Sequence, residues 1–271
     1  LNDAGLYDPK NPMITTADIT SLLWTKTLFA KPGTAYLYAD YNYITLGFVV
    51  AAAAGMPLDR FFAERIARPL GLRDSAFCPP ERKRGRIAAT AYWKGEMLVG
   101  KVHDPRSSDM GGVAGHAGLF STARDAWTIA QMLLDGGRVG ARRLLSPAAT
   151  AAMVSVQTPA VLRPRGLGWD MDPGGWGPRG NLFPATGGFG HTGFTGTSLW
   201  ADRETRTVVV VLTNRVHPNG KGDSDPLRSR VANIVASVVT GAAPAAAARK
   251  MVAPRAATRR VPRVGTGIDV L

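Results

Sequence analysis

Residues 195–215, TGTSLWADRETRTVVVVLTNR, restrict the fold more than any other stretch. Two β-rich runs flank the charged turn Arg203-Glu204, which predicts an antiparallel hairpin, and the unbroken apolar run 208–212 predicts a strand buried on both faces. Just upstream, FGHTGFTG (189–196) sets a lone His before Thr-Gly, with glycines at 190, 193 and 196. Glycine lets another backbone or a substrate come close to a strand. A strand edge that offers N–H groups is the geometry of an oxyanion or strand-addition site. His191 by itself is more often a structural histidine than a catalyst, so a second motif has to decide.

Helices are expected around this hairpin. DITSLLWTKTLF predicts a short helix before the turn Pro32-Gly33. Residues 40–72 predict two more. The first carries Ile44, Leu46, Phe48, Val49 and Val50 and stops at Gly55-Met56-Pro57; the second runs from Leu58 to about Ala67 with Phe61, Phe62 and Ile66 on its apolar side. FSTARDAWTIAQMLLDGG predicts a helix capped by Thr122 with Asp125 three residues on, closed by Gly136-Gly137, its inner side made of Trp127, Ala130, Met132, Leu133 and Leu134. Residues 157–190, rich in Gly, Pro and Trp, predict ordered loops. A last helix opens at Ser224-Asp225-Pro226 and shows Leu227, Val231, Ile234, Val235 and Val238 on one side.

The second motif is PGTAYLYADYNYITLG (32–47). Tyr38 and Asp40 place a phenol and a carboxylate on one tight turn before an apolar helix, and a phenol whose pKa is lowered by cations can serve as a general base. A buried aromatic with a satisfied hydroxyl is the competing account of Tyr38. Composition narrows the partners. The net charge of +13 rests mostly on Arg residues scattered singly among Gly, Ala and Pro, which predicts a solvated surface and no nucleic-acid partner, although an anionic wall polymer would suit it. One cysteine, Cys78, excludes an internal disulfide and a Cys-based zinc site. No His/Asp/Glu cluster shows ligand spacing, so neither a metal nor a cofactor is expected. No run of about 18 apolar residues occurs that would span a membrane.

Together, Tyr-x-Asp after Pro-Gly and His-Thr-Gly opening a strand resemble the second and third signatures of the penicillin-recognising serine hydrolases: class C β-lactamases, D-alanyl-D-alanine peptidases and related esterases. GMPLDRFFAERIARPLGLRDSAF and GGVAGHAGLFSTARDAW look like family segments between them, so the resemblance covers about residues 1–240. Asp40, where Asn is usual, and His191, where many members have Lys, look like the esterase and peptidase branches. The resemblance implies an α/β (α+β) fold, an antiparallel sheet flanked by helices with a helical subdomain. It also implies an acyl-enzyme mechanism on peptidoglycan-derived peptides or small esters, in the cell envelope, periplasm or outside the cell.

By the same resemblance, Tyr38 takes the proton from the acylated Ser, Asp40 orients the leaving group or a Lys, and His191 holds the Tyr hydroxyl or a substrate carboxylate. Thr192, Gly193 and His116 line the groove, and the Phe194 N–H is one oxyanion donor. His103-Asp104 is expected to make loop hydrogen bonds, a role open to His116 as well. The family's first signature, Ser-x-x-Lys, occurs nowhere in the 271 residues; Ser121 with Arg124 is the nearest approach, and Arg cannot act as the base. LNDAGLYDPKNP looks like the segment that follows that signature, so the fold is expected to be incomplete at its N-terminus and this chain inactive alone. Residues 241–263 predict an Ala/Pro/Arg linker, and VGTGIDVL (264–271) resembles the opening of an exo-N-acetylmuramidase domain fused behind it. A non-catalytic wall-binding module of the same fold is the alternative.

Overall fold

The computed structural model describes residues 15–171 and 177–241; the linker, the muramidase-like opening and the segment LNDAGLYDPKNP lie outside them. The described chain forms two compact units, residues 15–122 with 217–220 and residues 123–216 with 221–241. Helices and antiparallel strands mix as the sequence predicted.

The first unit is mainly helical. α1 (Thr16–Thr25) starts from a capping box in which Thr15 and Asp18 satisfy each other's backbone N–H groups. α2 (Asp40–Ala54) ends at Gly55, whose φ of 62° is the left-handed conformation that lets a helix stop there. Ile19 of α1 and Tyr41 and Ile44 of α2 are fully buried together, with Leu22, Leu23, Phe48 and Met110 packed around them. Leu46 and Val49, expected on the apolar side, are exposed. Residues 58–70 continue as α3 (Leu58–Phe61), a π-helical stretch (Phe62–Ala67) and α4 (Arg68–Leu70). Short elements complete the unit: β1 (Ala76–Phe77) paired with β4 (Leu119–Phe120), a 3₁₀ turn (Glu81–Arg86), the ribbon β2 (Tyr92–Trp93) with β3 (Glu96–Met97), and α5 (Pro105–Asp109).

The second unit carries the hairpin. Three antiparallel strands, β7 (Gly188–Thr192), β8 (Ser198–Asp202) and β9 (Thr207–Val211), pair in the order β7-β8-β9. They are joined to α6 (Ala123–Leu134), the ribbon β5 (Arg138–Val139) with β6 (Arg142–Arg143), α7 (Pro147–Met153) and α8 (Asp225–Thr240). The β8–β9 turn is held by Asp202, whose Oδ1 accepts from the Thr205 N–H at 2.7 Å and its hydroxyl at 2.8 Å. Trp200 is fully buried at the centre of the cluster with Phe183, Val209, Ala232 and Ala236. A Cβ at Gly188 or Gly190 would overlap this indole, so glycine here serves the chain's own packing.

Three expectations give way in this unit. β9 is an edge strand of its sheet among the described residues, with Val209 buried and the other valines half-buried. Trp127 of α6 is exposed while Asp125 is buried. α8 packs the expected Val231 and Val235 half-buried against the Trp200 cluster, but it turns Arg228, Ser229, Ala232, Asn233 and Ala236 inward and leaves Leu227, Ile234 and Val238 exposed. The reason is tertiary: small residues fit beneath Trp200, and Asn233 Oδ1 accepts the N–H groups of Asn181 (2.7 Å) and Leu182 (3.1 Å), half-buried loop donors that need a partner. The solvated-surface reading of the arginines also fails for Arg106, Arg165, Arg179 and Arg228, all buried. Among the described residues no single helix is long and apolar enough to cross a membrane.

Candidate active site

In the first unit the turn Pro32-Gly33 is closed by Thr34, whose N–H and hydroxyl both donate to the Lys31 carbonyl. The chain then passes without regular structure to the extended Ala39 and enters α2 at Asp40. Asp40 therefore occupies the first helical position, where the unpaired N–H groups and the helix dipole favour a carboxylate. Tyr38, two residues earlier, is 58% exposed, which removes the buried-aromatic account of it. The buried phenol belongs to Tyr41 instead.

A close crossing brings His116 to the same helix end. Gly115 lies so near α2 that a Cβ on it would overlap the Tyr43 carbonyl, and a Cβ on Gly47 would meet the Gly115 nitrogen at 3.0 Å. Glycine at both positions lets loop and helix touch, and the next side chain, His116, is held 4% exposed. His116 Nε2 lies 2.9 Å from Asp104 Oδ1, the atom that also caps α5 by accepting from the Ser107 N–H at 2.7 Å. Ligand atoms of Asp40, Asp104 and His116 all fall within 4.8 Å of one another. Spacing in the sequence had hidden this group; the Asp104–His116 contact is the loop hydrogen bond expected there, now placed beside Asp40.

In the second unit, Phe189 and His191 share one side of β7, where Phe189 meets Trp169 edge-on at 5.4 Å. His191 Nδ1 lies 2.7 Å from the Thr192 carbonyl oxygen. A carbonyl only accepts, so Nδ1 carries the proton and the neutral ring presents Nε2 as an acceptor. Burial lowers the His191 pKa below its ordinary value, with Arg165 and Arg163 adding to the effect; the Thr192 hydrogen bond and Asp170 oppose it. The histidine is thus a neutral ring near pH 7, unlike the Lys that many members of the family it resembles carry at this position.

The sign of this shift gives a test. Below about pH 6.5 the unfolded histidine takes up a proton that the folded one resists, so the unfolded state binds more protons and stability falls on acidification; above it the contribution is constant. Urea unfolding at about pH 7 and about pH 5 should show a smaller acid-side loss in His191→Gln than in the unmodified protein. Equal losses would place the effect elsewhere.

Asp170, missed in the sequence, backs this strand. It is buried, ion-paired with Arg165 and, at 3.2 Å, with Arg163, and it exchanges both backbone hydrogen bonds with Gly190. Its signal would have been the three charges Arg163, Arg165 and Asp170 in one short loop, too weak to separate from surface charge. Beyond Thr192 the chain turns. Gly193 donates to the Thr197 carbonyl at 2.7 Å, and the space a side chain at 193 would take is held by Thr197 Oγ1. Phe194 projects its ring 70% exposed, under the Arg215 guanidinium at 4.2 Å. Tyr38, Asp40 and His116 thus belong to one unit, and His191, Thr192, Gly193 and Phe194 to the other.

A family model described as Beta-lactamase matches residues 2–234. A protein of Escherichia coli K12, provisionally assigned as a D-alanyl-D-alanine carboxypeptidase, is 35% identical over 204 residues, which are 69% of this chain and 46% of that one. A Salmonella schwarzengrund protein of the same description is 34% identical, with 69% and 47% covered. The chain therefore spans about half the length of these relatives. Among solved structures, a penicillin-binding protein homologue from Caulobacter crescentus superposes with a TM-score of 0.63 at 21% identity, covering 87% of this chain and 68% of its own. Simvastatin synthase from Aspergillus terreus gives 0.59 at 16% identity, covering 82% and 61%. At such identities these structures show the fold alone.

Proposed function

Because the chain belongs to the beta-lactamase family, we propose that it is part of a serine hydrolase that works through an acyl-enzyme on peptidoglycan-derived peptides ending in D-alanine or on small esters. The observation that carries this reading is the exposed Tyr38 phenol set two residues before Asp40 at the head of α2, in a chain whose relatives carry a carboxypeptidase description. A serine hydroxyl attacks the acyl carbon and passes its proton to the Tyr38 phenolate. The tetrahedral oxyanion is held by N–H donors that include Phe194, and its collapse expels the leaving amine or alcohol, which takes the proton from Tyr38. Water activated by the same phenolate then releases the acid. Asp40 orients the leaving group, and His191 accepts a hydrogen bond from the substrate. Thr192, Gly193 and His116 line the groove. Such a substrate suits a protein of the cell envelope, periplasm or exterior.

The 271 residues hold no Ser-x-x-Lys. Expressed alone they should neither hydrolyse an activated ester nor retain a β-lactam, since loss of the nucleophile alone removes about 10⁶ of rate in a serine hydrolase. A fluorescent acylating probe read by intact mass decides this, run beside the protein expressed with its upstream coding sequence. A stable one-to-one adduct on residues 1–271 would mean that the nucleophile lies within them. If the longer protein also stays unlabelled yet binds peptidoglycan fragments, it is a wall-binding module and the hydrolase reading falls.

A further inference from the structure

The turn after β7 is clamped from inside by two arginines. Residues 193–196 close a tight turn, the Gly196 N–H donating to the Gly193 carbonyl at 3.1 Å. Arg228, on the first turn of α8 and 5% exposed, reaches the same carbonyl with Nη2 at 2.7 Å and the Gly196 carbonyl with Nε at 3.3 Å, while Nη1 is anchored at 2.6 Å on Asp225. Arg215 donates through Nε to the Phe194 carbonyl and through its backbone N–H to the Thr195 carbonyl at 2.9 Å, and its guanidinium covers the Phe194 ring. All four turn carbonyls thus have donors, Thr213 Oγ1 adding a second to Gly196.

A trans peptide is planar, with its N–H opposed to its C=O. The Gly193 C=O and the Phe194 N–H belong to one such unit. Once Arg228 and Gly196 fix the carbonyl, the N–H has to face the other way. Strand alternation agrees up to the turn: Gly193 donates toward β8, at Thr197, whereas Gly190 bonds outward to Asp170, so Thr192 shares the outer edge of β7 with Gly190 and the Gly193–Phe194 peptide follows directly. A glycine-flanked turn would otherwise flip this peptide readily, since Gly populates both signs of φ.

We propose that Arg228, assisted by Arg215, is a positioning residue that fixes the Gly193–Phe194 peptide so that the Phe194 N–H is preset as an oxyanion donor. This rests on the hydrolase reading above. Arginine suits the task because its planar fork engages two carbonyls and one carboxylate together, which a lysine ammonium on a flexible stem cannot reproduce.

The test uses the protein with its upstream coding sequence and two substrates of one acyl group, a p-nitrophenyl ester and its thionoester. Sulfur accepts hydrogen bonds weakly, so the thionoester gains little from an oxyanion donor and reports the remaining machinery. Arg228→Lys should lower kcat/KM for the oxygen ester at least about tenfold, through kcat, as part of the about 10²–10³ that a whole donor supplies. The thionoester rate should fall far less, so the oxygen-to-sulfur rate ratio drops by a similar factor. Arg215→Gln, at a half-buried position, should shift the ratio in the same direction and decides the matter if Arg228→Lys does not fold. Equal losses on both esters, or an unchanged ratio, would make the arginines structural only and overturn the inference with the hydrolase reading intact. An unmodified protein inert toward both esters would overturn the reading itself and the inference with it.

Discussion

Tyr38→Phe in the protein expressed with its upstream coding sequence is expected to lower turnover by about 10²–10⁴, the usual contribution of a positioned general base, with KM little changed. The substitution removes one hydroxyl from a ring already 58% exposed, so no buried donor is stranded and the melting temperature should stay within a degree or two. Tyr38 stands two residues ahead of α2 and is not among the residues of the buried cluster of Ile19, Tyr41 and Ile44. That separation makes the experiment sharp. Single-turnover acylation and steady-state rates should both fall, because the same phenol is assigned to proton removal from serine and from water. Retention of most of the rate would take Tyr38 out of the site. Tyr41→Phe serves as the contrast, a fully buried phenol whose loss should act on stability.

The second large effect is structural. Trp200→Ala should destabilise the protein by about 3–5 kcal/mol, the range for emptying a large aromatic site in a core, against a total of about 5–15 kcal/mol for most domains. Trp200 is completely buried, faces Gly190 on β7 and Val209 on β9, and spreads over Gly188. Gly188→Ala should also destabilise, because its new methyl would overlap the indole. In the Trp200→Ala background the same methyl enters vacated space, so the two changes should couple by roughly 0.5–3 kcal/mol. Denaturant unfolding of the four proteins gives the cycle. Additivity within about 0.5 kcal/mol would mean that the indole is not what excludes a side chain at 188.

Much of the fold was legible because its signals are local. The Arg203-Glu204 turn, the glycines closing α2 and α6, and the proline opening α8 each act through the backbone of their own neighbours, and the helices and hairpin stand where those signals put them. Tyr38 and Asp40 were legible for the same reason, two residues apart on one helix entry. What the sequence determined, then, is the longer helices, the hairpin and the family.

Which side of each element faces inward was decided by the tertiary structure. On α8 the apolar residues Leu227, Ile234 and Val238 lie outward and Asn233 and Arg228 inward, because buried carbonyl and N–H groups of distant loops have to be satisfied and no aliphatic side chain can do so. The need to satisfy buried carbonyls converted Arg179 and Arg228 from apparent surface charge into internal donors, while Arg165 is buried against the Asp170 carboxylate and Asp170 bonds to Gly190 of β7. The grouping of Asp40 with Asp104 and His116 arose where Gly47 and Gly115 let a loop press onto a helix. None of this has a period or a spacing in the chain. Each depends on which unpaired polar group the fold brings nearby, and that is known only once the backbone is folded.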